Sequence, residues 1–259
     1  EVYIAGLTYS ADYPTTADAY QPTFAGYHDA FLFILSAEGN DAVYSTFFGG
    51  SAQDYGNDVS IDPLGIAYIS GWTVSYDLPI TPGAFQPSCG CSGLADDGFV
   101  AKIAPGALVP PTATPTVPVT PSPTRTPSPT TTPLPPPPPS TPKLRYGTFL
   151  GGSASDEILD IALDRTGMLY ITGLTYSDDF PTTPGVFDTT FESVHDVFVS
   201  KLSADGSDLL YATYLSGDDI SREEGQGIAV DLDGNAYIIG STNSATFPTT
   251  PNAYQPRSE

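Results

Sequence analysis

One segment occurs four times in this chain, and that recurrence limits the fold more than any other feature. It reads YIAGLTYSADYPTTADAYQP from Tyr3, YISGWTVSYDLPITPGAFQP from Tyr68, YITGLTYSDDFPTTPGVFDT from Tyr170 and YIIGSTNSATFPTTPNAYQP from Tyr237. A second segment occurs three times, from Asp29, Asp97 and Asp196 (DAFLFILSAEGN, DGFVAKIAPGA, DVFVSKLSADGS). A third begins at Tyr44, Tyr146 and Tyr211 (YSTFFGGSAQD, YGTFLGGSASD, YATYLSGDD). Tyr3 and Tyr68 are 65 residues apart, and that is the period. A chain that repeats itself at a fixed period builds one supersecondary unit again and again and stacks the copies.

Each period reads as four short strands. The first is like Leu209–Leu215. The second is like Asp160–Asp164, where Ile161 and Leu163 alternate to one face. A turn such as Asp-Leu-Asp-Gly-Asn (231–235) leads to the third, like AYIIGST, since Gly and Asn between apolar alternations mark a hairpin. A proline-bearing loop follows, because proline is excluded from a central strand, and the fourth is like Asp196–Leu202. Abundant Tyr (16) and Phe (13) beside Ile and Val, with 25 Gly, fit β-structure. The expected fold is all-β: propeller-type blades of four antiparallel strands.

The combination T-F-L-G-G, G-x-x-Y-I-T-G, F-P-T-T-P and D-x-F-V-x-K in residues 146–187 and 196–201 resembles the bacterial SBBP repeats, named for a seven-bladed β-propeller. The resemblance covers nearly the whole chain outside one proline-rich stretch. It implies a propeller-like fold in secreted or surface proteins and brings no catalytic residues with it. Two departures stand out: the periods number about 3.7, and both ends fall inside a period. Three arrangements suit such ends. Flanking sequence could complete the blades, another copy could complete them head to tail in a filament, or the two ends could close a small ring.

The proline- and threonine-rich stretch divides the chain into repeats over 1–107 (a partial blade plus one blade), a linker or strap over 108–143, and repeats over 144–259 (one blade plus a partial blade). Its composition favours polyproline II, at about 3.1 Å per residue, so roughly 100 Å when extended. It lies after a fourth strand and before a first strand, which reads as a junction between blades. A rod of that length suits a strap or a connector between bodies. Its hydroxyls, at Thr112, Thr114, Thr116, Thr120, Ser122, Thr124, Thr126, Ser128, Thr130, Thr131 and Thr132, also make it a candidate for O-glycosylation.

Charge excludes some functions. Eight Lys and Arg stand against 30 Asp and Glu, a net −22, so nucleic acid is not an expected partner. No apolar run reaches the roughly 18 residues of a membrane span. The two cysteines, Cys89 and Cys91, offer too few ligands for zinc. A bridge between them would be tight, and free or loop-tied cysteines are the simpler reading.

The candidate sites are modest. Asp231, Asp233 and Asn235 alternate like the start of a calcium loop, but the equivalents at Asp62 and Asp164 keep only what a turn needs, the first Asp and the Gly. The acidic 216–224 loop is a second, weaker cation candidate. His28–Asp29 and His195–Asp196 recur at one repeat position, where the middle copy has Asp96–Asp97, and lack a nucleophile, so they read as structural. Asp29, Asp97 and Asp196 read as strand-entry caps. No acid pair stands out as a glycosidase pair. Trp72 replaces Leu7, Leu174 and Ser241 and could stack on sugar or anchor a loop. The sequence therefore reads as an extracellular or cell-surface, bacterial-type structural repeat protein without catalytic residues or cofactor, assembling with copies of itself through edge strands. The alternative is a module that binds carbohydrate or protein within a longer chain.

Overall fold

The computed structural model describes residues 1–90, 93, 95–105, 143–217 and 220–256. The proline-rich stretch with all its Thr and Ser candidates lies outside the described residues, as do Cys91 and residues 218–219 of the acidic loop.

Thirteen strands and no helix make up the described residues: β1 (Val2–Thr8), β2 (Asp29–Leu35), β3 (Ala42–Phe48), β4 (Asp54–Ile61), β5 (Ala67–Thr73), β6 (Asp97–Ala104), β7 (Lys143–Leu150), β8 (Asp156–Leu163), β9 (Leu169–Thr175), β10 (Asp196–Leu202), β11 (Leu209–Leu215), β12 (Glu223–Val230) and β13 (Ala236–Thr242). They form four antiparallel sheets, β1-β2-β3, β4-β5-β6-β7, β8-β9-β10-β11 and β12-β13. The all-β, blade-like architecture expected from the repeat is what the chain adopts.

The blades are offset from the sequence period by one strand. Each four-stranded sheet starts with the second strand of a period and ends with the first strand of the next, so β7 completes β4–β6 and β11 completes β8–β10. This offset corrects the placement of the proline-rich stretch. It does not join one blade to the next, because β6 and β7 are neighbours in one sheet, with Ile103 opposite Leu144 and Ala104 opposite Lys143. The described residues that flank the stretch, Ala104 and Lys143, are partners in one ladder. The physical reason is the ladder: an antiparallel pair needs only its ends to meet, whatever the length of chain between them.

The hairpin from each inner strand to the next shows why the sequence turns there. Asp62, Asp164 and Asp231 each accept two backbone N–H groups from the residues two and four positions on. Gly65, Gly167 and Gly234 then take φ of 77°, 83° and 86°, open to glycine without strain. Each inner strand also carries a bulge, where the register slips between Gly56 and Asp58, Ile158 and Asp160, and Gly225 and Gly227. The bulge re-aims the extra residue: Asn57 donates to the Ile158 carbonyl of the next sheet at 2.8 Å.

The core lies between sheets rather than within one. Leu32, Phe48, Ile69, Phe99 and Phe149 fill the first interface, and Tyr68, Val100, Tyr146, Ile158, Phe198 and Tyr214 the second. Tyr170, Val197, Val199 and Ile228 fill the third. Each large side chain buried there contributes about 1.5–3 kcal/mol, so the sheets hold one another by stacking.

Candidate functional site

The recurrent motifs converge where one sheet meets the next. The Gly-Gly-Ser-Ala loop between β3 and β4 has three successive N–H groups bound by side chains. Gly50 donates to Asp54 Oδ2 at 2.8 Å, Ser51 to Asp77 Oδ1 at 2.8 Å and Ala52 to Ser75 Oγ at 2.9 Å. Gly152, Ser153 and Ala154 repeat this with Asp156, Asp179 and Ser177. From the other side, Gln21 and Gln86 of the proline-bearing loops accept from Gly49 and Gly151 and donate to Asp29 and Asp97. The motif residues thus form one cage of hydrogen bonds, which explains why they recur together.

Asp29, Asp97 and Asp196 open β2, β6 and β10, and each accepts backbone N–H groups of the preceding loop. Asp29 takes Ala25 and Gly26, Asp97 takes Gly90 at 2.6 Å, and Asp196 takes Glu192. The sequence reading missed their partners. Asp54, Asp156 and Glu223 open the inner strand of the following sheet and are buried against them. The signal was present in the recurrent GGSAQD and GGSASD, but only the pairing of the sheets brings the two acids together. Burial pushes Asp54 and Asp156 up to about 6 and Asp97 up to about 7. A second link lies on the inner strands. The carboxylate of Asp58 accepts the Ile161 N–H and that of Asp160 accepts the Ile228 N–H. Burial, and then a hydrogen bond with Asp160, raises Asp58 to about 6.

His28 and His195 are buried. Their carbonyls accept the N–H of Asp54 and Glu223, bridging adjacent sheets, and His195 Nδ1 lies 3.1 Å from the Glu223 carbonyl oxygen. Lys102 and Lys201 reach Asp62 and Asp164 at 3.9 and 3.7 Å over the rings of Tyr68 and Tyr170. Trp72 stacks on Tyr55 with centroids 3.8 Å apart, and the His28 ring meets Tyr55, Tyr9 and Tyr27 edge-on. Tyr9 and Tyr27 are 63% and 71% exposed.

At the calcium candidate, Asp231 is engaged by its own turn. Asp233 N and Asn235 N donate to Oδ1, and Asn235 Nδ2 and Tyr237 Oη donate to Oδ2. These donors, the Asn235 side chain foremost, hold Asp231 down at about 2. Among the described residues, no group of three or more His, Cys, Asp or Glu is arranged to hold a metal ion. Cys89 is disulfide-bonded, which overturns the simpler reading of free or loop-tied cysteines in favour of a bridge. A shallow cleft of about 390 Å³ lies by Tyr20, Gln21, Pro22, Thr23, Ala25, Gly49 and Pro79, a lining without carboxylate, imidazole, amine or thiol.

Stacked antiparallel blades joined by a recurring hydrogen-bond cage define a propeller-type repeat protein. The family model described as SBBP, beta-propeller repeat, matches residues 210–248, which span β11, β12 and β13, so the resemblance seen in the sequence holds for that repeat. No curated protein matches the chain.

Proposed function

We propose that this chain is a structural repeat module of the bacterial cell exterior, without catalytic residues, that joins copies of itself by completing open sheets. One observation carries the proposal. In β5 and β9 the tyrosines Tyr68 and Tyr170 are fully buried between their own sheet, completed by its fourth strand, and the next, whereas on β13 the equivalent Tyr237 is 58% exposed and Ile239 is 73% exposed. The β12-β13 sheet offers an unpaired edge and an apolar face that fit a fourth-type strand such as β2 of another copy. Among the described residues the β1-β2-β3 sheet has no inner strand beside β1, the type that β12 supplies. Head-to-tail joining of unlike edges is heterologous and propagates. The test is sedimentation of the wild type beside Ile239→Lys. Concentration-dependent association that the lysine abolishes supports the proposal, and a monomer at every concentration refutes it.

A second reading rests on the ring cluster of Tyr9, Tyr27, His28, Tyr55 and Trp72. Its exposed tyrosine faces suit stacking on the sugar rings of an extracellular polysaccharide. Quenching or a shift of Trp72 fluorescence on adding a neutral oligosaccharide favours it. An unchanged spectrum across oligosaccharide classes removes it.

A further inference from the structure

Six acids sit at three sheet junctions with no exposed surface: Asp29 with Asp54, Asp97 with Asp156, and Asp196 with Glu223. In each pair the first opens the fourth strand of one sheet and the second opens the inner strand of the next. A glycine keeps the space between them free. A Cβ on Gly49 would lie 2.7 Å from Asp54 Oδ2 and 3.1 Å from Asp29 Oδ1. A Cβ on Gly151 would lie 2.6 Å from Asp156 Oδ2 and would collide with Asp97 Oδ1. At the third junction Ser216 takes this place, its hydroxyl hydrogen-bonds Asp196, and Glu replaces Asp as the partner.

Among the described residues no Lys or Arg ion pair reaches these acids, and His28 favours the charged form of Asp29 alone. The two lysine ion pairs of the described residues, Lys102–Asp62 and Lys201–Asp164, lie at the hairpin turns. Asp29 is faced by His28 and Asp54, and Asp97 by Asp96, Asp156 and Asp179. Asp156 is faced by Asp96, and Asp196 by Glu223. Asp97 Oδ1, Asp196 Oδ1 and Glu223 Oε2 are buried without any hydrogen-bond partner. A buried carboxylate oxygen with no donor, beside a second acid, is the place for a proton.

We infer that the junction of Asp97 and Asp156 is a proton-binding site, in which one proton is held by the facing pair of carboxyl groups and its loss to solvent leaves two carboxylates that push the sheets apart. Burial of the charged forms acts in the same direction. Asp54 and Asp156 at about 6 and Asp97 at about 7, all raised first by burial, exceed the ordinary value of about 3.9. The folded chain therefore keeps protons that the unfolded chain has released. Stability falls as pH rises from about 4 to about 7 and stays low above that. Mild acid tightens the stack and mild alkali loosens it, whether the chain is a monomer or a polymer.

Infrared spectroscopy of the wild type tests this first. A carbonyl band of protonated carboxyl groups should persist at pH 7 and vanish at pH 9, and its absence at pH 7 overturns the inference. Thermal melts of the wild type and of Asp97→Asn between pH 5 and pH 9 then assign the site. The wild type should melt lower as pH rises, and the asparagine, which is neutral and donates to Asp156, should flatten that dependence. An unchanged slope in the variant overturns the assignment. So does a melting temperature at pH 8 that rises with calcium chloride and falls with chelator, because the pair would then be a cation site.

Discussion

Gly151→Ala tests the junction at its narrowest point. The added Cβ meets Asp97 Oδ1, Asp156 Oδ2 at 2.6 Å and Asp156 Cβ at 3.0 Å. All three belong to side chains fixed on both sides, Asp97 by Gln86 and Gly90, and Asp156 by Gly152 and Ser177. Backbone conformation is not the obstacle, since Gly151 does not have positive φ. Overpacking of this kind costs about 1–3 kcal/mol. Displacing a buried carboxylate from its N–H donors adds about 1–3 kcal/mol. Against this, alanine stabilises by about 0.4–1 kcal/mol through the unfolded chain. The net expectation is a loss of about 1–5.6 kcal/mol, or roughly 2–22 °C in Tm at about 2–4 °C per kcal/mol for a chain of this size. Urea unfolding followed by circular dichroism measures it. Gly83→Ala is the control, with a φ of 86° and nothing within 4 Å of the new Cβ, so it reports backbone strain alone. The double change Gly151→Ser with Asp156→Glu copies the third junction, and part of the loss should be recovered. A Gly151→Ala protein within about 0.5 kcal/mol of wild type, the range of an ordinary surface change, would refute the crowded carboxyl pair.

Other outcomes follow from the same structure. Replacing residues 106–142 with a four-residue Gly/Asn turn should preserve the β-sheet spectrum, because Ala104 and Lys143 are already partners. Removing about three doublings of loop length, at about 0.6 kcal/mol each, should stabilise by up to about 2 kcal/mol; loss of folding would contradict the hairpin placement. Phe99→Ala, which opens a cavity in the first core interface, should cost about 3–5 kcal/mol by chemical denaturation. Intact mass spectrometry of native material should show a mass above that of the bare sequence if Thr112 to Thr132 carry glycans, and an equal mass removes that proposal. Thiol reagents should leave Cys89 unmodified until a reductant is added, and labelling without reductant would contradict the bond.

The period, the strand types and the SBBP resemblance were legible because they are local. Four copies of one segment need no knowledge of contacts. The blade boundary was harder, because a repeat gives the order of strands along the chain and not which strand closes a sheet. The signal was nonetheless there: Ser-Ala-Glu-Gly-Asn-Asp (36–41) and Ser-Ala-Asp-Gly-Ser-Asp (203–208) are hairpin turns that tie β2 to β3 and β10 to β11. In the middle copy the proline-rich stretch occupies that turn and hides it. Asp29, Asp97 and Asp196 were visible as recurrent acids, while their pairing with Asp54, Asp156 and Glu223 depends on stacking that no local pattern encodes. Trp72 needed the structure too, since its stacking on Tyr55 comes from register: the two face each other across β4 and β5.

The most direct test of the account is light scattering of the intact chain over a wide concentration range, with negative-stain electron microscopy of the same samples. Completion of open sheets by other copies predicts a mass that grows with concentration and regular filaments or layers in the images. A constant mass equal to one chain, 27.2 kDa, with discrete particles, would contradict it.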